Sequence, residues 1–395
     1  MKYIISIFVV LFLGSSFLSP EWGFYGHRTI NRKAVFTLPQ EMLVFYKPNI
    51  EFITEHAVDP DKRRYATKYE AERHYIDIDH WGEFPYDNVP RQYAHAFMKF
   101  AKYYAIDGQD TTEFNLSELY DEMDLNSFFA KDLKDSFYVH INRQLSNNDI
   151  IIDCDDLGDV GNIPEKCKKI LIVDELRKYG ILPYFFPKYY KKLVKAFENK
   201  SSKLILQYSA DLGHYVGDAH VPLHTTENYN GQLTDQVGIH AFWESRLPEL
   251  YADSEYDFLV GKANYIENVK EWIWDVIMAS HALLPEVLEF EKNLSQEFPS
   301  DGQFCFENRL EQTIRTQCEA YSKEYHTRLD GMVERRMQDA IHATGSVWMS
   351  AWIDAGQPNL ESISGLTWSA KDEDAQKELN ELFKAGDIKG RNHDN

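Results

Sequence analysis

Five residues within a short stretch carry the strongest chemical signal in the chain: His214, Asp218, His224, His240 and Glu244. In the block Leu212 to His224, His214 and Asp218 stand four apart. On a helix that spacing puts both on one face, about 5–6 Å between Cβ atoms, a natural bite for two ligands. Pro222 then stops the helix, and His224 follows from the next turn. His240 and Glu244 repeat the four-residue spacing further on. Imidazole plus carboxylate at this spacing suits a divalent metal such as zinc, with coordination positions left for water. One such pair alone is more often structural than functional. Two pairs with an intervening histidine in an apolar setting point to a metal centre. Two further pieces lie upstream. Trp22 precedes His27 by five residues, and Asp59, in Asp59-Pro60-Asp61, precedes His74 by fifteen.

Other polar residues read as supporting or ordinary. His220 lies inside the block but is expected to make structural hydrogen bonds. Asp211, one turn before His214, is either a partner that orients a ligand or a surface carboxylate. Asp77 and Asp79 are either substrate-reading or satisfied loop carboxylates. The acidic run Asp153, Asp155, Asp156 and Asp159 fails the calcium-loop register, because Pro164 stands where a bidentate Glu is needed. His56, His80, His95, His140, His281, His326, His342 and His393 have no convincing partner spacing. There is no glycine-rich phosphate loop and no Gly-x-Ser-x-Gly elbow, so nucleotide cofactors and serine-hydrolase chemistry have no support.

The elements that must position these residues read as helices. Apolar residues recur at spacings of three and four over 30–46, around Pro39, and over 202–219, 266–290 and 321–353. Strand signals are sparse, Ile150–Ile152 being one, and Ser146–Cys167 reads as a loop or insertion. No repeat of fixed period is present. The expectation is a single all-α, multi-helix domain over 22–366, with a polar tail over 367–395 that frays. The aromatic clusters at Tyr184–Phe186 and Tyr189–Tyr190 are expected in the core rather than on a lipid-touching face.

With 395 residues, 44% of them hydrophobic, the chain can bury a sizeable core, which excludes general disorder. Lys and Arg number 42 against 63 Asp and Glu, a net charge of −21. A stably held nucleic acid is therefore not expected, although bound metal ions would admit a polyanion as a transient substrate. Residues 1–21 read as a signal peptide, with Lys2 before the apolar run Tyr3–Leu13. Small residues at Ser16 and Ser19 offer cleavage positions, and further trimming would expose Trp22. The expected location is periplasmic or secreted. Four cysteines fit that compartment, the simplest pairing being Cys154 with Cys167 and Cys305 with Cys318, though crossed pairings stay open. None sits in a C-x-x-C pattern, so a thiolate zinc site is not expected.

The order Trp-(4)-His, Asp-(14)-His, His-(3)-Asp-(5)-His and His-(3)-Glu, running from Trp22 to Glu244, resembles the superfamily of zinc-dependent phospholipases C and single-strand-specific zinc nucleases. The resemblance implies the superfamily's all-α fold and three zinc ions. The first would take Asp59, His74, His214 and Asp218. The second would take His224, His240 and Glu244. The third would take His27, Asp218 and the amino group and carbonyl oxygen of Trp22. The resemblance also implies that Tyr75 and Asp77 contact substrate.

The implied activity is hydrolysis of phosphate diesters by in-line attack of water activated at zinc, with Asp59 as general base. Glu244 matches the phospholipase form of the last ligand, whereas the Trp22–His27 gap and His74-Tyr75-Ile76-Asp77 match the nucleases. A phospholipase C-like substrate is the expectation, single-stranded nucleic acid the alternative, and transient contact with a membrane surface stays open. A non-catalytic zinc-binding scaffold is the rival from another class.

Overall fold

A computed structural model describes residues 23–108, 110–114, 150–154, 164, 166–309, 312–363 and 368–391. The expected signal peptide and Trp22 lie outside the described residues, as do His140, His393 and most of the Ser146–Cys167 segment.

The centre of the molecule is the helix Ser202–Ala219, whose last eleven residues are all buried. Its bounds match the apolar pattern of the sequence because every face of its second half meets another helix. Before it in the chain come Phe24–Ala34 (α1), Gln40–Tyr46 (α2), Ile50–Glu55 (α3), Asp59–Arg63 (α4), Lys68–Ala71 (α5), Tyr93–Phe100 (α6) and Leu182–Glu198 (α7), of which α1, α3, α4 and α7 pack against it. Ser202–Ala219 is α8. After it come Ile239–Ala241 (α9), Leu247–Glu255 (α10), Val269–His281 (α11), Leu284–Glu297 (α12), Glu319–Arg328 (α13), Met332–Asp354 (α14) and Ala370–Ala385 (α15).

Trp348 of α14 is fully buried, stacks on Tyr46 at 5.2 Å and donates its indole N–H to the Ser209 carbonyl of α8. Tyr184, Phe185, Phe186, Tyr189 and Tyr190 of α7 are buried in the same core, as expected. Burying each such side chain contributes on the order of 1.5–3 kcal/mol. Two glycines bring α1 against α8. A Cβ at Gly213 would stand 1.9 Å from Asn31 Oδ1, and one at Gly217 would stand 2.9 Å from His27 Nδ1. This close approach carries His27 into the centre of the molecule.

Two expected long helices are each two. Residues 266–290 divide at Ala282–Leu283, and Leu284 opens α12 with Pro285 in its first turn. Residues 321–353 divide at Asp330 and Gly331, whose φ values of 46° and 73° break the helical path.

The expected all-α architecture requires a correction: the chain is mostly helical but carries two small antiparallel sheets. The strands Lys102–Asp107 (β1), Asp110–Phe114 (β2), Ile150–Asp153 (β3) and Lys169–Val173 (β4) form one sheet in the order β2-β1-β4-β3. Tyr103, Ile170 and Ile172 point from it into the main core, the every-second-residue burial of a half-covered strand. Phe304–Arg309 (β5) and Gln312–Gln317 (β6) form a hairpin. The disulfides are Cys154–Cys167, from the end of β3 to just before β4, and Cys305–Cys318, across the hairpin. Each closes a short loop and stabilises by about 3 kcal/mol. Among the described residues no helix is long and apolar enough to cross a membrane.

The segment expected to fray instead begins with a helix docked on the body. Ser369 and Asp372 form a capping box at the start of α15, and Gly386 ends it in the left-handed region at φ 75°. The Phe383 ring packs 5.3 Å from Phe24 and 5.1 Å from Tyr65.

Candidate metal centre

α1, α4, α8 and the turns after α5 and α8 bring their polar residues to one buried place. Helix α8 presents His214 and Asp218 on one face, four residues apart as the spacing requires. Val221–Thr225 turns back beneath it and brings in His224, and His74 arrives just beyond α5. His240 lies in α9 and Glu244 in the π-helical turn Phe242–Arg246 that continues it. This wider turn is a local departure from the α-helix that the sequence pattern does not reveal.

Asp218 stands at the middle of the cluster. Its Oδ2 lies 3.0 Å from His74 Nδ1 and 3.3 Å from His214 Nε2. Its Oδ1 lies 3.4 Å from His27 Nε2 and 3.9 Å from His224 Nε2. Glu244 plays the matching part on the other side: Oε2 is 2.8 Å from His240 Nε2 and 3.3 Å from His224 Nε2, while Oε1 is 3.5 Å from His27 Nε2. The groups His74–His214–Asp218, His224–His240–Glu244 and His27–Asp218–Glu244 each converge ligand atoms within 4.8 Å of one another, a separation that fits a single cation.

The second nitrogen of most of these imidazoles is already engaged. His214 Nδ1 donates to the Ala57 carbonyl at 2.8 Å, His224 Nδ1 to the His74 carbonyl at 2.7 Å and His240 Nδ1 to the Tyr229 carbonyl at 3.2 Å. Each bond places the proton on Nδ1 and leaves the Nε2 lone pair aimed into the cluster. His74 is turned the other way, with Nδ1 inward and Nε2 facing Glu70 at 3.9 Å. His74 Nδ1 and His214 Nε2 then face each other at 3.0 Å. Asp218 Oδ2, although nearly in contact with both, accepts no hydrogen bond. Converging lone pairs around an orphaned buried carboxylate oxygen form the donor set of a cation site.

Electrostatics agree. Burial drives His74 and His214 well below the usual imidazole range, and neighbouring His and Arg charges add to the effect. Burial also takes His224 down to about 4. These rings are therefore neutral and fit to ligate. Burial, with the charges of Asp61 and Glu244 beside it, pushes Asp218 well above the ordinary carboxylate range. Burial acts on Glu244 in the same direction, but the imidazoles of His224, His240 and His27 against it hold it well below its usual value. A bound cation would remove the penalty on Asp218 and keep it ionised.

The expected carboxylate of the first group is where geometry and spacing part. Asp61, not Asp59, faces the cluster, with Oδ1 3.7 Å from His214 Nε2 and 3.8 Å from His74 Nδ1. It also joins a fourth convergent group with His27 and His214. Asp59 meets His56 Nδ1 at 2.5 Å, Lys62 Nζ at 3.6 Å and Gln376 Nε2 at 2.9 Å. Burial would raise Asp59, but His56 and Lys62 hold it below the ordinary carboxylate value. Residues two apart on a helix point roughly 200° apart, so only one of the two can face inward, and the rotation of α4 decides which.

That rotation is set by a buried polar network behind the cluster. Arg63, two residues after Asp61, pairs with Asp211 at 3.0 Å and Glu70 at 3.4 Å. Glu70 also accepts from Tyr215 and from Arg73, and Asp211 accepts from Tyr189. Asp211 is thus a buried anchor for α4 and not a surface residue. His220, just past the end of α8, donates Nδ1–H to the Val216 carbonyl at 2.7 Å, the structural role expected. Asp79 is the satisfied loop carboxylate, accepting from Thr226 Oγ1 at 2.6 Å and Glu227 N at 3.0 Å.

Tyr75 and Asp77 line a slot at the edge of the cluster, next to the turn that carries His224. The slot holds Arg391. Asp77 accepts both bonds from Arg391 Nη1, at 2.8 and 2.7 Å, and the guanidinium lies 4.1 Å over the Tyr75 ring and 3.5 Å over the Tyr229 ring. Tyr229 and Arg391 carry no local sequence signal: one is an aromatic in a loop, the other a cation in a polar tail. No family model matches the chain, and no curated protein matches it.

Proposed function

We propose that the protein is an exported zinc-dependent phosphodiesterase of the zinc phospholipase C and single-strand-specific nuclease type. The observation that carries this reading is the position of Asp218, one oxygen toward His74 and His214 and the other toward His27 and His224, with Glu244 closing the far side. A cluster of several cation-binding groups sharing carboxylates suits hydrolysis of a phosphate diester, in which metal ions clamp the attacking and leaving oxygens. His74, His214, Asp218 and Asp61 would hold one zinc, His224, His240 and Glu244 a second, and His27 with Asp218 a third, with Trp22 joining the last by resemblance. Bound zinc would supply Lewis-acid stabilisation of the phosphoryl oxygens and lower the pKa of water.

The base role expected of Asp59 is assigned here to Asp61. Its side chain is 19% exposed, against 2% for Asp218, so it reaches both the cluster and the solvent. Arg64 Nη1 donates to Asp61 Oδ1 at 3.4 Å and steadies the carboxylate that would take the proton from the attacking water. The two disulfides suit an oxidising compartment, which supports export.

A phospholipase C-like substrate is supported by Glu244, by the net charge of −21 and by the filled slot, which in this conformation leaves no stacking place between Tyr75 and Tyr229. Single-stranded nucleic acid is the second reading, and the pair of tyrosines beside Asp77 is the observation that favours it. The test offers phosphatidylcholine and single-stranded DNA side by side to the purified protein, with and without chelator. Chelator-sensitive release of phosphocholine with intact DNA is expected. Chelator-sensitive DNA cleavage alone would move the substrate to nucleic acid, and hydrolysis of neither would contradict the diesterase reading.

A further inference from the structure

The slot between Tyr75 and Tyr229 has the chemistry of a site for a flat, nitrogen-bearing ring, and the chain fills it with its own Arg391. Two aromatic faces lie against one planar group, a buried carboxylate accepts its N–H bonds, and the Thr226 carbonyl accepts a further one from Nη2 at 3.2 Å. The guanidinium is the side chain that best imitates a small planar heterocycle bearing N–H donors, since it is flat, delocalised and stacks on aromatic faces.

The segment that delivers it is fastened at several points, each modest. Lys389 N donates to the Arg64 carbonyl at 2.8 Å, and Arg64 Nη2 donates to the Arg391 carbonyl at 2.6 Å. Gly390 passes so close to α5 that a Cβ there would stand 2.5 Å from that of Ala71. Upstream, Lys203 pairs with Asp372, Gln376 bonds Asp59 and Phe383 covers Phe24 and Tyr65. No residue of α15 is fully buried. A helix held by surface contacts can leave without exposing a core, and the elements that move in regulation are drawn from such low-stability units.

We propose that residues 368–391 form an autoinhibitory strap in which Arg391 closes, in cis, a binding slot for a planar aromatic heterocycle, and that withdrawal of the strap opens the slot beside the metal cluster. Asp77 serves both states. In the closed state it pairs with the guanidinium. In the open state it accepts from N–H groups at the edge of the ring, such as an exocyclic amino group, as its buried position requires a donor in either case. The strap thereby sets which substrates reach the centre: those needing no stacked ring are unaffected, and those with one must displace Arg391 first, which lowers their apparent affinity by the fraction of molecules that are open.

The proposal does not rest on diester hydrolysis, so its test uses a ligand with no phosphate. Adenosine binding to the full-length, metal-loaded protein is measured by equilibrium dialysis for the wild type, Arg391→Ala, Arg391→Lys and Arg391→Ala/Tyr229→Ala. The expected result is at least about tenfold tighter binding in Arg391→Ala. Arg391→Lys, which keeps the charge but loses the fork and the flat face, should fall between. Adding Tyr229→Ala should remove the gain. Phe383→Ala, which loosens α15 while leaving every slot residue in place, should shift affinity in the same direction by a smaller factor. Near-ultraviolet circular dichroism confirms that each variant is folded. Equal affinity in the wild type and Arg391→Ala, or a gain that survives loss of Tyr229, overturns the proposal whatever the diesterase assay gives.

Discussion

Asp77 and Asp218 are both buried carboxylates with the same 2% exposure, and they differ in what answers their charge. Asp77 meets Arg391, which binds both of its oxygens. Burial lifts Asp77 to about 6, and Arg391 works against that rise. Asp218 has the neutral rings of His74 and His214 beside it, Arg64 acting on it without pairing with it, and two further carboxylates, Asp61 and Glu244, close enough to repel it. The chain thus pairs Asp77 with a cation of its own and gives Asp218 none in ion-pair contact. A buried carboxylate without a paired counter-charge is costly to ionise, so its place among converging imidazole nitrogens favours a cation that would hold it ionised. The slot and the cluster adjoin, and the slot is filled by the chain's own Arg391 while the cluster has the donor set of a cation site.

The comparison is sharpened most by the two aspartates of α4. Asp61 faces the cluster and Asp59 is held by His56, Lys62 and Gln376. Asp61→Asn should lower kcat/KM for a phosphodiester by about 10²–10³-fold, the scale for losing a general base. Asp59→Asn should cost about 1 kcal/mol of stability through weakened bonds and leave turnover within a few-fold of the wild type. Steady-state kinetics of the two variants, paired with urea denaturation, checks this. A larger kinetic loss in Asp59→Asn would return the base role to the residue that spacing alone selects.

A smaller effect separates His220 from the histidines of the cluster. His220 is satisfied inside the protein, and burial, with Arg336 adding to it, lowers its pKa to about 3. In the unfolded chain its pKa is about 6.5, so the unfolded state binds more protons between those values. The stability gained from a neutral His220 is therefore complete above about pH 6.5 and is lost as pH falls toward 3. His220→Gln should reduce the slope of unfolding free energy against pH, between about pH 4.5 and 6, by close to one proton, or about 1.4 kcal/mol per pH unit. Urea titrations of both proteins across that range measure it, and parallel slopes would show that His220 is not buried neutral.

The fold was most legible where one physical pattern acted alone. Helix Ser202–Ala219 follows from an apolar periodicity with a proline just beyond its end, and His214 and Asp218 follow from their spacing on it. The pairs Cys154–Cys167 and Cys305–Cys318 were the simplest of the pairings the sequence left open. The strands were not legible. Lys102–Asp107 and Lys169–Val173 are short, and β-structure there depends on distant partners and a disulfide rather than on local pattern. Asp61 over Asp59 depends on the rotation of α4, which Arg63 fixes through Asp211 and Glu70, contacts far apart in the chain. Arg391 lies in a segment with the composition of a frayed tail, and its role comes wholly from where α15 delivers it.

The central claim is that the cluster around Asp218 holds metal ions, and the most direct measurement is the metal content of the purified protein by mass spectrometry. Wild-type protein should carry about two to three zinc ions per chain, and Asp218→Ala, which removes the carboxylate shared between groups, should lose at least one of them while staying folded. Wild-type protein that is folded, exposed to zinc and free of bound metal would contradict the account.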